Sequence, residues 1–360
     1  MSTMRTNALS PGLRRQLDRL HEKAPVLRLG AGDKLVVFSD LHLGDGGRQD
    51  DFTPNAELFL TALREYYQKQ GFLLLLNGDI EDMALYSLGD IANRWFDVYQ
   101  ACEEFALRGA LYKLAGNHDL ILLRRRPEHL PFPMIESLRV EIGDMRLWFF
   151  HGHQVSRLNW LYQTLGRMVL RWILHPLGIG NYTTARSRSR RFHVEQRAYL
   201  YARARRMLAI IGHTHRPLFE SLSRLDTVKI GIENLCRAYS GATEEERREI
   251  ESRMETLKRE FVEQQRRDQR PQRSENLYHD GPLLPCLFNS GSAIGRHGVT
   301  AIEIAAGRIA LVIWCDRRRS AKYVEAEAYQ PQRLEGTEFY RVVLKEEELG
   351  YIFSRINLLG

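Results

Sequence analysis

Five short blocks place metal-seeking side chains at the ends of apolar runs: Asp40-Leu41-His42, Gly78-Asp79, Gly116-Asn117-His118-Asp119, His151-Gly152-His153 and Gly212-His213-Thr214-His215. Imidazole, carboxylate and amide oxygen form a borderline donor set that suits manganese, iron, zinc or cobalt, whereas calcium takes oxygens alone. On an extended segment, two residues separated by one other project to the same side. Asp40 and His42 can therefore reach one ion, and His213 and His215 can enter a site together. Asp79, ending a neighbouring run, is suited to bridge two ions. Two cations about 3.5 to 4 Å apart can clamp a phosphoryl group and lower the pKa of a shared water, giving a hydroxide nucleophile at neutral pH. Any one block alone is a weak signal, because a strand-end Asp or His is more often a cap or a surface group; the ordered set carries the weight.

Positioning these groups requires elements that stop where the blocks begin. Leu35 to Phe38, Phe72 to Leu76 and Leu111 to Ala115 are short continuous apolar runs, each halted by polar residues, as expected of buried strands with loops at their C-terminal ends. Ala56 to Gln68 and Trp95 to Leu107 carry helical spacing between them, so the order is βαβαβ, which implies a parallel sheet with right-handed crossovers. Further strands are expected at Arg146 to Phe150, Leu208 to Ile211, Leu284 to Asn289, Gly298 to Ile304 and Arg308 to Trp314, the last two joined by a hairpin at Ala305-Ala306-Gly307. The fold class is α/β, with residues 31–320 as the core, 1–30 as an N-terminal helical segment and 321–360 as a C-terminal extension. Two helical insertions interrupt the core. Residues 155–207 form a lid that opens with an apolar stripe (Leu158, Leu161, Leu165, Met168, Trp172) and continues into an arginine-rich helix. Residues 221–280 contain a charged helix from Thr243 to Arg270, with Thr243 and Glu246 as a capping box and Pro271 after its end.

Composition bounds the setting. The 360 residues are 44% hydrophobic and 27% charged, enough for one large core with insertions or for two modest domains. No stretch reaches the roughly 18 uncharged apolar residues of a spanning helix, and Met1 to Gln16 lacks the apolar region of a secretory signal, which makes a cytoplasmic address the expectation. Cys102, Cys236, Cys286 and Cys315 lie far apart with no Cys-x-x-Cys pair, so they read as reduced thiols rather than a zinc knuckle or disulfide framework. A net charge of +7 fits an anionic partner: a phosphorylated small molecule, an acidic lipid surface or nucleic acid.

Taken in order, the five blocks resemble the calcineurin-like metallophosphoesterase superfamily, whose pattern is D-x-H, G-D, G-N-H-D/E, H and G-H-x-H, over about Asp33 to Trp314. The resemblance implies a two-sheet β-sandwich flanked by helices and a pair of divalent cations, manganese first, with iron, zinc or cobalt as alternatives. It implies that Asp40, His42 and His215 hold one metal, Asn117, His151 and His213 the other, and Asp79 bridges. His118 would stabilise the transition state or protonate the leaving oxygen, with Asp119 orienting its ring. His153 is read as a substrate-side group beside Asn117. One or two of the lid arginines, Arg188 among them, would meet substrate phosphates, since a guanidinium grips phosphate with two prongs. The Asn289-Ser290-Gly291-Ser292 turn resembles a late element of the same family and is equally explained as a tight strand-end turn.

The resulting reading is a phosphomonoester or phosphodiester hydrolase using a metal-bridging hydroxide. Gly212-His-Thr-His-Arg-Pro217 and the insertion before it are also similar to UDP-2,3-diacylglucosamine pyrophosphatases, which cleave a lipid-linked diphosphate; that branch would add peripheral membrane contact through the lid. The chain departs from that branch at His118, at His153 and within Asp79-Ile80-Glu81-Asp82, which ranks it second. A nuclease suits the positive charge, but aromatic and basic interleaving is faint, at Tyr182, Phe192, Tyr199 and Tyr201. A scaffold that had lost its metals would show gaps in the ligand set, and the sequence has none.

Overall fold

Leu35, Val36, Val37 and Phe38 are all fully buried, as expected of a strand covered on both faces, and the covering comes from two different directions. Leu35 and Val37 face a core shared with a second sheet, while Val36 and Phe38 face a helical layer. The protein is described here from a computed structural model that covers residues 9–124, 132–156, 187–220, 243–268, 284–325 and 329–359, with scattered positions between 228 and 241.

The strands are β1 (Val26–Arg28), β2 (Leu35–Phe38), β3 (Leu73–Asn77), β4 (Leu111–Leu114), β5 (Ser137–Ile142), β6 (Met145–Phe150), β7 (Leu208–Ile211), β8 (Leu287–Asn289), β9 (Val299–Ala305), β10 (Arg308–Asp316), β11 (Gln332–Arg333) and β12 (Phe339–Glu348). Two sheets result. One has the order β11-β12-β10-β9-β2-β3-β4 and the other β1-β5-β6-β7-β8. The α/β class and the two-sheet arrangement flanked by helices are therefore as read from the sequence. The parallel βαβαβ unit is also present, since β2, β3 and β4 pair in parallel, but β2 meets β9 in the antiparallel sense, and the seven-stranded sheet is mixed. The hairpin between β9 and β10 turns at Ala306 and Gly307, both with positive φ, the backbone that a two-residue hairpin requires.

The helical layer over β2 and β3 comprises α2 (Ala56–Thr61), which widens into π winding over Ala62–Gln68, α3 (Leu88–Arg94) and α4 (Phe96–Leu107). Tyr67, on the π segment, is fully buried. Its hydroxyl donates to Glu303 Oε1 at 2.7 Å and accepts from Trp314 Nε1 at 2.8 Å, and Arg341 pairs with the same carboxylate. A buried carboxylate needs this much satisfaction to be tolerated. On the other sheet's outer face lie α1 (Pro11–Lys23), through Leu17, and α5 (Arg188–Ala204), through Val194, Ala198 and Ala202.

Elements near both ends of the described residues are joined to the sheets. β1 pairs with β5, and β12 pairs along nearly the whole of β10 before α8 (Leu349–Leu359) packs Ile352 and Ile356 into the inter-sheet core. β11 and β12, within the span 321–360, thus form one edge of the seven-stranded sheet. In the second insertion, α6 (Glu244–Asp268) begins as the capping box anticipates: Thr243 N–H donates to Glu246 Oε2 at 2.8 Å, and Glu246 N–H to Thr243 Oγ1 at 3.5 Å. The remaining helix, α7 (Arg317–Val324), follows β10. The apolar stripe of the first insertion falls in 157–186, outside the described residues.

Candidate metal centre

Every block singled out in the sequence sits at the C-terminal end of a strand: β2, β3 and β4 in one sheet, β6 and β7 in the other. The strand ends are tied to one another by backbone. Asp40 N–H donates to Gly78 O at 3.0 Å, His42 N–H to Asp79 O at 3.0 Å, and Gly212 N–H to His151 O at 2.9 Å. Glycine is needed where these loops converge. A Cβ on Gly116 would lie 2.1 Å from Asp79 Oδ1, and one on Gly212 would lie 2.7 Å from Asp40 Oδ2. Asp40, His42, Asp79, His213 and His215 all hold positive φ, between 50° and 65°, a costly backbone for residues with side chains. Such strain persists where surrounding structure overdetermines it, and here it aims side chains inward.

Donor atoms converge in three overlapping groups: Asp40, His42 and His215; His42, Asp79 and His118; Asp79, His151 and His213. Within each group they lie within 4.8 Å of one another. Asp40 Oδ1 is 3.1 Å from His215 Nε2 and 3.9 Å from both His42 Nε2 and His151 Nε2. Asp79 Oδ2 is 3.0 Å from His151 Nε2 and 3.9 Å from His42 Nε2. Yet Asp40 Oδ1 and His151 Nε2, both buried, are out of line for a hydrogen bond with any of these neighbours. His42 Nε2 and His215 Nε2 lie 3.1 Å apart, so the donor atoms crowd into one small buried space, as ligands around a cation do. Buried, polar and otherwise unsatisfied atoms of this kind fit a metal pair well.

Electrostatics support the same fit. Among the described residues, the ion-pair partners of Asp40 and Asp79 are all histidines, while the buried Lys113 is taken by Glu81. Burial penalises the Asp79 carboxylate, but His151 and His118 outweigh it and hold the group well below the usual range; Asp40 is held down likewise by His215 and His151. Burial, with the nearby histidines, pulls His42 down to about 4 and His213 to about 3, so both rings are neutral at pH 7 and offer lone pairs. His151 Nδ1 is 2.8 Å from Asn77 O. A carbonyl can only accept, so Nδ1 carries the hydrogen and Nε2 is the coordinating end. Burial opposes charge on this ring, yet Asp79 and Asp40 raise it to about 10, which marks Nε2 as a point that favours a positive charge.

His118 is the site's other charged group. Its Nδ1 is 2.8 Å from Asp82 Oδ1, and its backbone N–H donates to Asp79 Oδ1 at 2.7 Å. Burial works against protonation, but Asp82 and Asp79 prevail and raise the ring to about 9. This corrects the role expected of Asp119. Its carboxylate accepts Gly116 N–H at 2.6 Å and Ile80 N–H at 2.8 Å, so it fastens the β4 loop to the β3 loop and does not touch the ring. The side chain facing His118 is Asp82, three residues beyond Asp79, which the sequence reading passed over because it stands in a loop without a strand-end signal. Asn117 is half-buried between Gly116 and His118. His153 has its ring 5.6 Å from that of His151 and 6.4 Å from that of His213, outside the three donor groups. Arg188 opens α5, and its side chain lies outside the described residues.

Behind the histidine loop, Asn289 Nδ2 donates to Gly212 O and Thr214 Oγ1, both at 2.9 Å, and Gly291 carries a φ of +82°. The late turn therefore supports the β7 loop. Among the described residues, no helix is long and apolar enough to cross a membrane.

Comparison with known proteins gives a family model described as calcineurin-like phosphoesterase, matching residues 34–217. Solved structures that match the chain include a predicted phosphoesterase from Streptococcus pneumoniae at 12% identity, covering 80% of this chain and 91% of that one, with a TM-score of 0.29. Vacuolar Protein Sorting 29 from Cryptosporidium parvum has 12% identity, 88% and 98% coverage and a TM-score of 0.34. A dimetal phosphatase from Danio rerio has 10% identity, 78% and 95% coverage and a TM-score of 0.31. No curated protein matches the chain.

Proposed function

The chain belongs to the calcineurin-like phosphoesterase family, and from that premise we propose that this metal-dependent phosphoric ester hydrolase is binuclear and cleaves a phosphomonoester or phosphodiester. The observation that carries the binuclear reading is the position of Asp79. It belongs both to the donor group with His42 and His118 and to the group with His151 and His213, and its Oδ2 lies 3.9 Å from His42 Nε2 and 3.0 Å from His151 Nε2, within reach of both ligand sets. Asp40, His42 and His215 would hold one cation, His151, His213 and Asn117 the other. Divalent cations bound there supply Lewis-acid polarisation of the phosphoryl group and activation of water.

The remaining chemistry falls to the chain's own groups. His118, kept protonated by Asp82, is placed to give a proton from Nε2 to the departing oxygen, while Nδ1 stays on the Asp82 carboxylate. His118 packs edge-on against His42, with ring centroids 4.7 Å apart, which keeps the donor beside the metal groups. The Asp119 clamp holds the β4 loop so that His118 does not drift. The lipid-linked diphosphate alternative draws on Gly212 to Pro217 and on the insertion before them, whose apolar stripe lies outside the described residues; it ranks second because the chain departs from that branch at His118, at His153 and within Asp79-Ile80-Glu81-Asp82.

The test is direct. Chelated protein is titrated with manganese and assayed with bis-p-nitrophenyl phosphate and p-nitrophenyl phosphate, with metal content measured alongside. Two equivalents bound and hydrolysis of at least one substrate are expected. A chain that binds no divalent cation at millimolar metal ends the proposal.

A further inference from the structure

The helix inserted between β6 and β7 reaches into the ligand loop through one buried carboxylate. Glu195, on α5, is almost fully buried. Its Oε1 accepts Thr214 Oγ1–H at 2.8 Å and Arg216 Nε–H at 3.2 Å, and its Oε2 pairs with Arg216 Nη2. Thr214 is also fully buried, lies between His213 and His215, and accepts Asn289 Nδ2 at 2.9 Å with the same hydroxyl that binds Glu195. The loop is thus gripped from both sides, by β8 through Asn289 and by the insertion through Glu195.

The grip matters because of what the loop must hold. His213 and His215 both stand at positive φ, 65° and 52°. Backbone of this kind is strained in residues with side chains and relaxes unless its surroundings forbid it. Thr214 Oγ1 has one hydrogen to give and gives it to Glu195, so the charged acceptor fixes the rotamer of the residue between the two histidines. Arg216, about half exposed, fixes the residue after His215 through the other edge of the same carboxylate. Asn289 holds Oγ1 from the other side as an acceptor but leaves the direction of its hydrogen open, and Glu195 settles that direction.

We propose that Glu195 is a positioning residue, through which the inserted helix holds His213 and His215 in metal-binding geometry and so sets the affinity of the centre for its cations. The inference rests on the reading that these two histidines ligate metal. It also gives the insertion a role in the chemistry that does not depend on substrate contact.

The experiment measures manganese binding by calorimetry on chelated wild type and on Glu195→Ala, Glu195→Gln and Thr214→Val, with folding checked by circular dichroism. Loss of partners that orient ligands commonly weakens metal binding by about 10- to 100-fold. Glu195→Ala is expected in that range. Glu195→Gln, which keeps an acceptor for Thr214, should recover most of the affinity, a split that a purely structural role would not produce. Should Glu195→Ala prove unfolded, Thr214→Val gives the reading, because it removes the hydroxyl and little volume; a 10-fold loss supports the inference. Wild-type affinity in folded Glu195→Ala, or in folded Thr214→Val, overturns it. If wild type itself binds no manganese, the metal reading has failed instead.

Discussion

Asp82, and not the adjacent Asp119, is the carboxylate that meets the ring of His118, at 2.8 Å from Nδ1. A histidine held this way carries a proton at neutral pH and keeps its far nitrogen available, which is the equipment of a general acid. His118→Ala is expected to lower turnover by about 10² to 10⁴ while leaving metal content unchanged. Asp82→Asn should lower it less, about 10- to 100-fold. Both deficits should shrink with p-nitrophenol as the leaving group and widen with an alkyl alcohol, because a good leaving group departs without a proton. Equal deficits across leaving groups would remove His118 from the proton-transfer step.

Asp79 carries two jobs at once: its Oδ1 accepts the His118 N–H at 2.7 Å and its Oδ2 faces His151 and His42. Asp79→Asn takes one of two carboxylates from the first ion and the one carboxylate assigned to the second, so bound metal is expected to fall below two equivalents and activity by at least about 10³. The melting temperature tells the two jobs apart. In chelated protein the variant should already be less stable than wild type, since the carboxylate that His151 and His118 hold ionised is gone and the two rings stay buried without it. With saturating manganese the gap should widen, since the variant also gains less from ligand binding. Two tightly bound ions in Asp79→Asn would place the bridge elsewhere.

Much of this centre was legible because its groups obey a simple rule: continuous apolar runs end in chemistry. Leu35 to Phe38, Leu73 to Asn77 and Leu208 to Ile211 are short and buried on both faces, so their ends stand out in sequence. What was not legible has physical causes too. The family resemblance implies Asp119 as the partner of His118, yet its carboxylate turns back to the amides of Gly116 and Ile80. Glu195 was hidden in an arginine-rich helix that read as a charged face, where a lone acid gives no sign of burial. Strands β5 and β12 were passed over because they mix charge with apolar residues. Leu138 and Val140 alternate with Arg139 and Glu141, and Tyr340 and Val342 with Arg341, the period of a strand with one wet face.

Gly116 tests how much the centre depends on close packing of its loops. Its position allows no side chain, since a Cβ would meet Asp79 Oδ1 at 2.1 Å and Asp79 N at 2.2 Å. Gly116→Ala must displace either the carboxylate or the β4 loop, and activity is expected to fall by at least about 100-fold, in keeping with the cost of misplacing a reacting group by an ångström. Gly32→Ala, where a Cβ meets nothing within 4 Å, is the control and should behave as wild type. A Gly116→Ala enzyme of normal activity would mean that the Asp79 carboxylate is not held where the structure puts it.

Cys102 offers a prediction at the opposite end of the pH scale and away from the metals. On α4 it is buried, and burial pushes its thiol up to about 12 from an ordinary value of 9.0, with Lys113 drawing it down and Glu81 pushing it up. A raised acid pKa means that the unfolded thiol ionises first. The stability it contributes is complete below about pH 9 and is lost as pH climbs towards 12, at up to about 1.4 kcal/mol per pH unit. Cys102→Ala removes this pH dependence at the expense of a small cavity. Urea unfolding from pH 8 to 11 should therefore show wild type ahead at pH 8 and the gap closing as pH rises. Parallel curves would mean that the thiol titrates alike in the folded and unfolded chains, and that Cys102 is not sealed in the helical layer.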